Sequence, residues 1–427
     1  MKKAIVFIII SLILVINIDS LRAQAYPPIP KIYGVTSIDD KLRAYNAVNG
    51  SYTLLSTVTA TLAGYTIDWM NGLAYDPCTH KSYVIITDVS VTGRILATIN
   101  LNTGVCTYIG NLGDNFSSIV FSRNGTLYGV TGNGATVPNT LYTINKTNAT
   151  PSFLTTLTAG SNGNVISYHP GINKLFFWTG NTVTYQKILT SSPYTATTIS
   201  TSLGTSQIHG AVYLPNDSFV LSSNAGFRKV DTLGTLTANV TKAVSFLRGM
   251  IMPAEFATQK DTACAKYDTI KIGAASVKNQ TLYYVWGDGK IDTVIGGNGA
   301  HVYTSSGTKT VYVLINNGFC TDTVFTKSIT INALPAVTIT GGSTVCVGGP
   351  AVTLTGSSGG TSQWFKNGVL ISGATANTYN ATTPGIYNMI KTNTNGCFDS
   401  SATSKVVSNS SPSVNIGKDT ILCSGSL

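Results

Sequence analysis

The sequence predicts an all-β protein, and three observations carry that expectation. Charged residues are only 10% of a 427-residue chain, too few to clothe the solvent faces of amphipathic helices. Gly (42) and Tyr (21) are plentiful, as suits short strands joined by turns. Short apolar strands alternate with polar turns in a pattern that repeats along the first half of the chain. A chain this long exceeds one ordinary core and divides into about three domains.

Residues 1–25 read as a secretory signal. Lys2 and Lys3 precede an apolar run from Ala4 to about Ile18, and Ala23 and Ala25 frame a cleavage site. That run is shorter than the ~20 apolar residues of a spanning helix, so no membrane span is expected after cleavage. The cysteine that lipid anchoring needs is also missing there. The mature chain then begins at Tyr26, and its net charge falls from +10 to +8. Those charges are spread thinly, with no Lys/Arg cluster to track phosphates, which argues against nucleic acid as a partner.

Residues 26–256 carry the repeats. "NGLAYDPCTHKSYVI" (71–85), "SSIVFSRNGTLYGVT" (117–131), "NVISYHPGINKLFFW" (164–178) and "HGAVYLPNDSFVLSS" (209–223) align, with Leu73, Ile119, Ile166 and Val212 in equivalent places at steps of 46 to 47 residues. Two further strands follow each pair. Four strands in 40–50 residues is the period of a propeller blade. The first unit, 31–58, lacks its first strand, and "LRGMIMPAEF" (247–256) stands alone at the far end. Pairing the two completes a fifth blade and removes the exposed sheet edges. A five-bladed β-propeller is expected. Cys78 and Cys106 fall in two turns of one blade that emerge on the same side, so a Cys78–Cys106 disulfide is expected.

After Glu255 the texture changes. "KDTACAKYDTIKI" (260–272), "GSTVCVGGPAVTL" (342–354) and "KDTILCSGSL" (418–427) each run a short strand into a cysteine: Cys264, Cys346 and Cys423, 82 and 77 residues apart. A second cysteine closes each complete unit, Cys320 in "NNGFC" and Cys397 in "TNGC". Within-unit pairs Cys264–Cys320 and Cys346–Cys397 are expected. Cys423 then opens a third unit (412–427) and is left unpaired, as in a fragment of a longer protein.

Residues 264–332, through "YYVWGDGKIDTV" and "HVYTSSGTKTVYVLINN", resemble a PKD domain. Residues 336–407, through "WFKNGVLISGATANTY" and "GIYNMIKTNTNGC", resemble the bacterial Ig-like modules found beside PKD domains. The resemblance implies two Ig-like β-sandwiches, 257–334 and 335–411, in a secreted surface protein of the type IX export kind, attached to the outer cell surface through a C-terminal region not in this sequence. The recurrent "DTL", "DTA", "DTI" and "DTV" at 231, 261, 268, 292 and 322 resemble O-glycosylation sites of some such exporters, or are an idiom for starting a strand.

The chain is poor in catalytic material. Its single glutamate is Glu255, no aspartate pair recurs at matching blade positions, and no nucleophile-elbow, zincin, Walker or EF-hand pattern occurs. "GDGKID" (287–292) lacks the ligand alternation of a calcium loop and reads as a turn, with His301 in structural hydrogen bonding. His80 and His169 read as exposed loop residues. His209 begins an innermost strand and can face the channel, or be hydrogen-bonded at its mouth. Trp286 and Trp364 read as sandwich cores. Trp69 and Trp178 lie near strand ends, where an exposed indole stacks on a sugar ring, although core packing is the stronger reading. No metal or cofactor is expected.

Together these readings anticipate a secreted or cell-surface protein that is not an enzyme. Its propeller would present a binding or adhesion surface to an extracellular glycan or protein, and its Ig-like modules would act as spacers. The alternative is an extracellular polysaccharide hydrolase or lyase working in the propeller channel.

Overall fold

The computed structural model describes residues 26 and 28–409, apart from 47–48, 61–64, 159–163, 180–184, 201–206, 225, 234, 241–246, 276, 278–279 and 347–348. The signal segment and Cys423 therefore lie outside the described residues. Those described form strands and turns without an α-helix. They divide into two compact units: 1–260 with 270–301 and 310–328, and 261–269 with 302–309 and 329–427. The residues of the expected second module are thus shared between the units.

In the first unit, residues up to Ile251 build five sheets, antiparallel apart from the short parallel pairing of Thr59–Ala60 with Val105–Asn111. Their innermost strands are Trp69–Tyr75, Phe116–Phe121, Val165–His169, Ile208–Leu214 and Leu247–Ile251. Each packs against the next, and Leu247–Ile251 returns to Trp69–Tyr75, so the series closes into a propeller-like ring. The closing pairing expected from the sequence is present, with Tyr33 opposite Ile251 and Gly34 opposite Met250. The strand ends at Ile251, however, just before Pro253. Glu255–Thr258 turns away to pair with Thr269–Ala275, so strand pairing crosses the expected boundary at 256.

Five apolar clusters fill the spaces between consecutive sheets, the last joining the fifth sheet (Val220, Phe227) to the first (Ile32, Tyr45). Burial follows position within a sheet. Second strands such as Ser82–Thr87 and Ser218–Ser223 are buried at every residue, whereas the outer strands Tyr52–Thr57 and Pro151–Thr156 are largely exposed. A middle strand is covered on both faces by neighbouring sheets, so it reads as a continuous apolar run rather than an alternating one. Glycine permits the tight axis: a Cβ on Gly210 would sit 2.8 Å from Leu247 O, and one on Gly249 would sit 2.7 Å from the Gly72 carbonyl carbon.

Later in this unit, Thr281–Val285 pairs with Ile291–Ile295 and with residues 312–316 around buried Trp286. Gly287 and Gly289 take positive φ in the turn, and His301 Nε2 meets Asp288 Oδ2 at 2.8 Å while stacking on Trp286. Turn and histidine are structural, as the sequence suggests.

The second unit contains two sheets packed over Leu354, Trp364, Tyr387 and Met389. One comprises Ile339–Gly341, Val352–Gly356 and Thr378–Ala381, and the other is built on Thr361–Lys366, Gly385–Thr392 and Ser404–Asn409. The Tyr387 hydroxyl donates to Thr383 O at 2.8 Å, pinning the start of its strand.

The expected cysteine pairing is corrected. The disulfides are Cys78–Cys320 and Cys264–Cys397, not Cys78–Cys106, Cys264–Cys320 and Cys346–Cys397. Cys78 belongs to a turn anchored by fully buried Asp76, whose Oδ1 accepts the Cys78 N–H. Beside it lies the Asn317–Cys320 turn, docked by two reciprocal bonds: Arg123 Nη2 donates to Asn317 O (2.7 Å) and Asn317 Nδ2 to Arg123 O (2.8 Å). Cys106 instead directs its side chain into the cluster of Val58, Val84 and Ile99, where burial pushes its thiol up to about 12. It serves there as a small apolar group. Cys264 meets Cys397 beside a stack of Tyr267 on Phe398, and Tyr267 donates to Asp399 Oδ1 at 3.0 Å. Cys346 is exposed and outside both bridges.

Candidate functional site

The ring has a central space whose two ends differ in chemistry. At the ends of the inner strands it is about 260 Å³ and of mixed character, lined by Tyr75, Phe121, Tyr168, Tyr213 and Met252 together with Arg123, Gln280 and Asn317. The Cys78–Cys320 disulfide ties the Asn317 turn in place there. At the beginnings of the same strands lies a polar recess of about 480 Å³, lined by Trp69, Asn71, Arg94, Asn115, Ser117, Gln207 and Arg248.

Each polar side chain is set by its strand. Asn71 donates to Thr87 Oγ1 across its own sheet (3.3 Å), and Ser117 donates to Asn164 O of the next sheet (2.7 Å). Asn115 Nδ2 donates to Asn133 O, fixing the neighbouring loop at the rim. Arg94 is held by its backbone, its N–H donating to Asp114 O and its carbonyl accepting from Leu112 N. Gly93 before it takes φ +87°, so the chain can turn back there. Arg248 rides on the ring-closing strand.

The electrostatics of this recess are unusual. Both guanidinium groups are half-buried, and neither has an acidic partner within 4 Å among the described residues. The Nε–H of each is buried with no acceptor. Burial, and after it the neighbouring Arg248 charge, hold Arg94 below its ordinary pKa, and burial does the same to Arg248. No Asp or Glu lines the recess. Elsewhere in the ring buried charge is paired, as in Lys146–Asp76 (2.6 Å) and Arg43–Asp39 (2.6 Å).

Of the residues expected at a site, only Trp69 lines this recess. Trp178 is fully buried among Phe176, Tyr185 and Phe219. His209 is 3% exposed and bonded to Asn224 Oδ1 at 2.6 Å, which is the hydrogen-bonded alternative. His169 is not a loop residue: it ends an inner strand, buried against Tyr213 and Phe176. His80, half-buried, bonds the Tyr75 hydroxyl. Sequence reasoning passed over Arg94, Arg248, Asn71, Asn115 and Gln207. Polar residues do stand near the heads of the inner strands (Asn71, Asn115, Asn164, Gln207, Arg248), but they do not share one position of the aligned repeats, so alignment alone does not mark them. Arg94 comes from a neighbouring loop.

No family model and no curated protein matches this sequence. Several solved structures are similar to this chain at low identity and low TM-score. The extracellular domain of the hybrid two-component system BT4673 from B. thetaiotaomicron is 10% identical, with TM-score 0.32, over 71% of this chain and 49% of that one. A catalytically inactive virginiamycin B lyase from Staphylococcus aureus, solved with quinupristin, is 11% identical with TM-score 0.32, over 73% and 99%. A gluconolactonase from Xanthomonas campestris is 12% identical with TM-score 0.36, over 59% and 85%. This corrects the expectation of a non-enzyme. A lyase and a gluconolactonase are among the structures to which this chain is similar. The two disulfides fit an oxidising, extracellular setting, and among the described residues no helix is long and apolar enough to cross a membrane.

Proposed function

We propose that this chain is a secreted or cell-surface binding and adhesion protein. Its five-bladed propeller takes an extracellular glycan in the polar recess, and its Ig-like modules serve as spacers. The observation that carries this reading is the recess itself. It combines a partly exposed indole, side-chain amides and two guanidinium groups without a lining carboxylate, the combination that orients a sugar ring by stacking and polar contacts. The opposite end is smaller, richer in aromatic and aliphatic side chains and bordered by a disulfide-tied turn, so the recess is the face with more room for a polar ligand.

The test is a glycan and matrix-protein array probed with the full chain and with Trp69→Ala and Asn71→Ala. Binding that falls about tenfold or more in the Trp69 variant supports the reading. Binding indifferent to both substitutions removes it. Incubating each bound ligand with the protein and measuring products decides separately whether it is turned over.

A further inference from the structure

We propose that the recess is an anion site, and that Arg94 and Arg248 together clamp the carboxylate or sulfate group of an acidic saccharide. This rests on the reading of the recess as the ligand face and names the group it recognises.

Two guanidinium groups, charged at any physiological pH, face one polar hollow with no carboxylate lining it. Each has an Nε–H withdrawn from water and from every protein acceptor. A buried donor without a partner is destabilising, and a desolvated charge without a counter-charge more so. Two like charges side by side add repulsion, felt by Arg94 from Arg248. The ring bears these costs here, while Arg43 and Lys146 each have an aspartate.

An oxyanion relieves the last two, the missing counter-charge and the repulsion, at once. Its oxygens accept from the terminal N–H groups of a guanidinium, which unlike the Nε–H are not closed off from solvent, in the paired geometry that suits carboxylate and sulfate. Its charge also offsets both cations. The rest of the wall decides what carries the anion. Trp69 offers a flat apolar face, and Asn71, Asn115 and Gln207 offer amides that both donate and accept, a surface for hydroxyl-rich rings rather than for an acidic peptide.

The experiment is calorimetric titration of the full chain with oligogalacturonate, a heparin-derived sulfated oligosaccharide, a neutral galactose oligomer and poly-L-glutamate. The panel is repeated on Arg94→Gln, Arg248→Gln, the double variant and Arg94→Lys. Expected is binding of one or both acidic saccharides over the neutral one, carboxylate and sulfate being separated by the first two probes. Each Gln substitution should weaken it about tenfold or more, and Arg94→Lys should weaken it as well because the fork is lost. The ligand-free Gln variants should melt at or above the wild-type temperature, since a repelling, unpaired charge has been removed.

Acidic binding that survives in the double variant overturns the proposal, and so does a preference for poly-L-glutamate. Neutral and acidic saccharides bound equally, with loss in Trp69→Ala, overturn the anion site while leaving the recess as the ligand face. No Trp69-dependent ligand of any kind overturns both.

Discussion

Replacing both Cys78 and Cys320 with Ser deletes one covalent tie and leaves neither of its own thiols behind. The bridge spans a sequence separation of 242. In the chain-entropy relation, closing a loop of that size restricts the unfolded chain by about 5 kcal/mol at 25 °C, an upper value because unfolded chains are not ideal coils. The reciprocal Arg123–Asn317 bonds remain in the variant, and so does the ring-closing pairing of Leu247–Ile251 with Lys31–Thr36. The variant should therefore fold with native far-ultraviolet circular dichroism but unfold at a clearly lower urea concentration. Non-reducing peptide mapping of the wild type should recover the Cys78 peptide joined to that of Cys320. Recovery of Cys78 joined to Cys106, or a double variant whose urea midpoint matches the wild type, refutes the reasoning.

Gly249→Ala should lower the urea midpoint by an amount corresponding to about 1–3 kcal/mol, because its Cβ meets the backbone of Gly72 and Leu73, which cannot swing aside as a side chain would. Burial alone would raise the Asp39 carboxyl, but hydrogen bonds from Arg43, Thr36 and the Lys41 N–H hold it at about 2. Its folded pKa thus lies below the ordinary value of about 3.9, so its stabilisation is complete above that value and is lost as pH falls towards 2. Asp39→Asn should flatten the dependence of the urea midpoint on pH in that window, and an unchanged slope counts against it. Burial is the main cause holding His80 and His169 below the usual imidazole range. Both then stay neutral in the fold, and stability should decline as pH drops below about 6.5, where the unfolded chain takes up protons first; the double variant with Gln at both positions should lose that decline. In the second unit, Lys391 is 1% exposed and donates to Gly359 O and Asn377 Oδ1. Lys391→Met removes both charge-assisted bonds and should cost about 1–3 kcal/mol in urea denaturation, an unchanged midpoint being the contrary result.

The ring and its closure were legible in the sequence because strand pairing is encoded in local pattern. The apolar repeat through Leu73, Ile119, Ile166 and Val212 marks inner strands, and the orphan "LRGMI" has one partner-less edge to complete, at Lys31–Thr36. Trp286 and Trp364 were recognisable as core for the same reason. The cysteine partners were not legible. The two "NG…C" turns are equivalent in sequence, and either could pair within its own module; which thiol each meets depends on which distant turn folds against it. Only the docking of Asn317 on Arg123, with Cys106 buried away from Cys78, sends Cys320 to Cys78. The recess is a tertiary property too. Arg248 closes the ring and Arg94 sits on a loop far earlier in the chain, and neither has a motif around it. Their shared, unpaired burial exists only once the first and last strands have met, because a charge is desolvated by the whole fold around it and not by its neighbours in sequence.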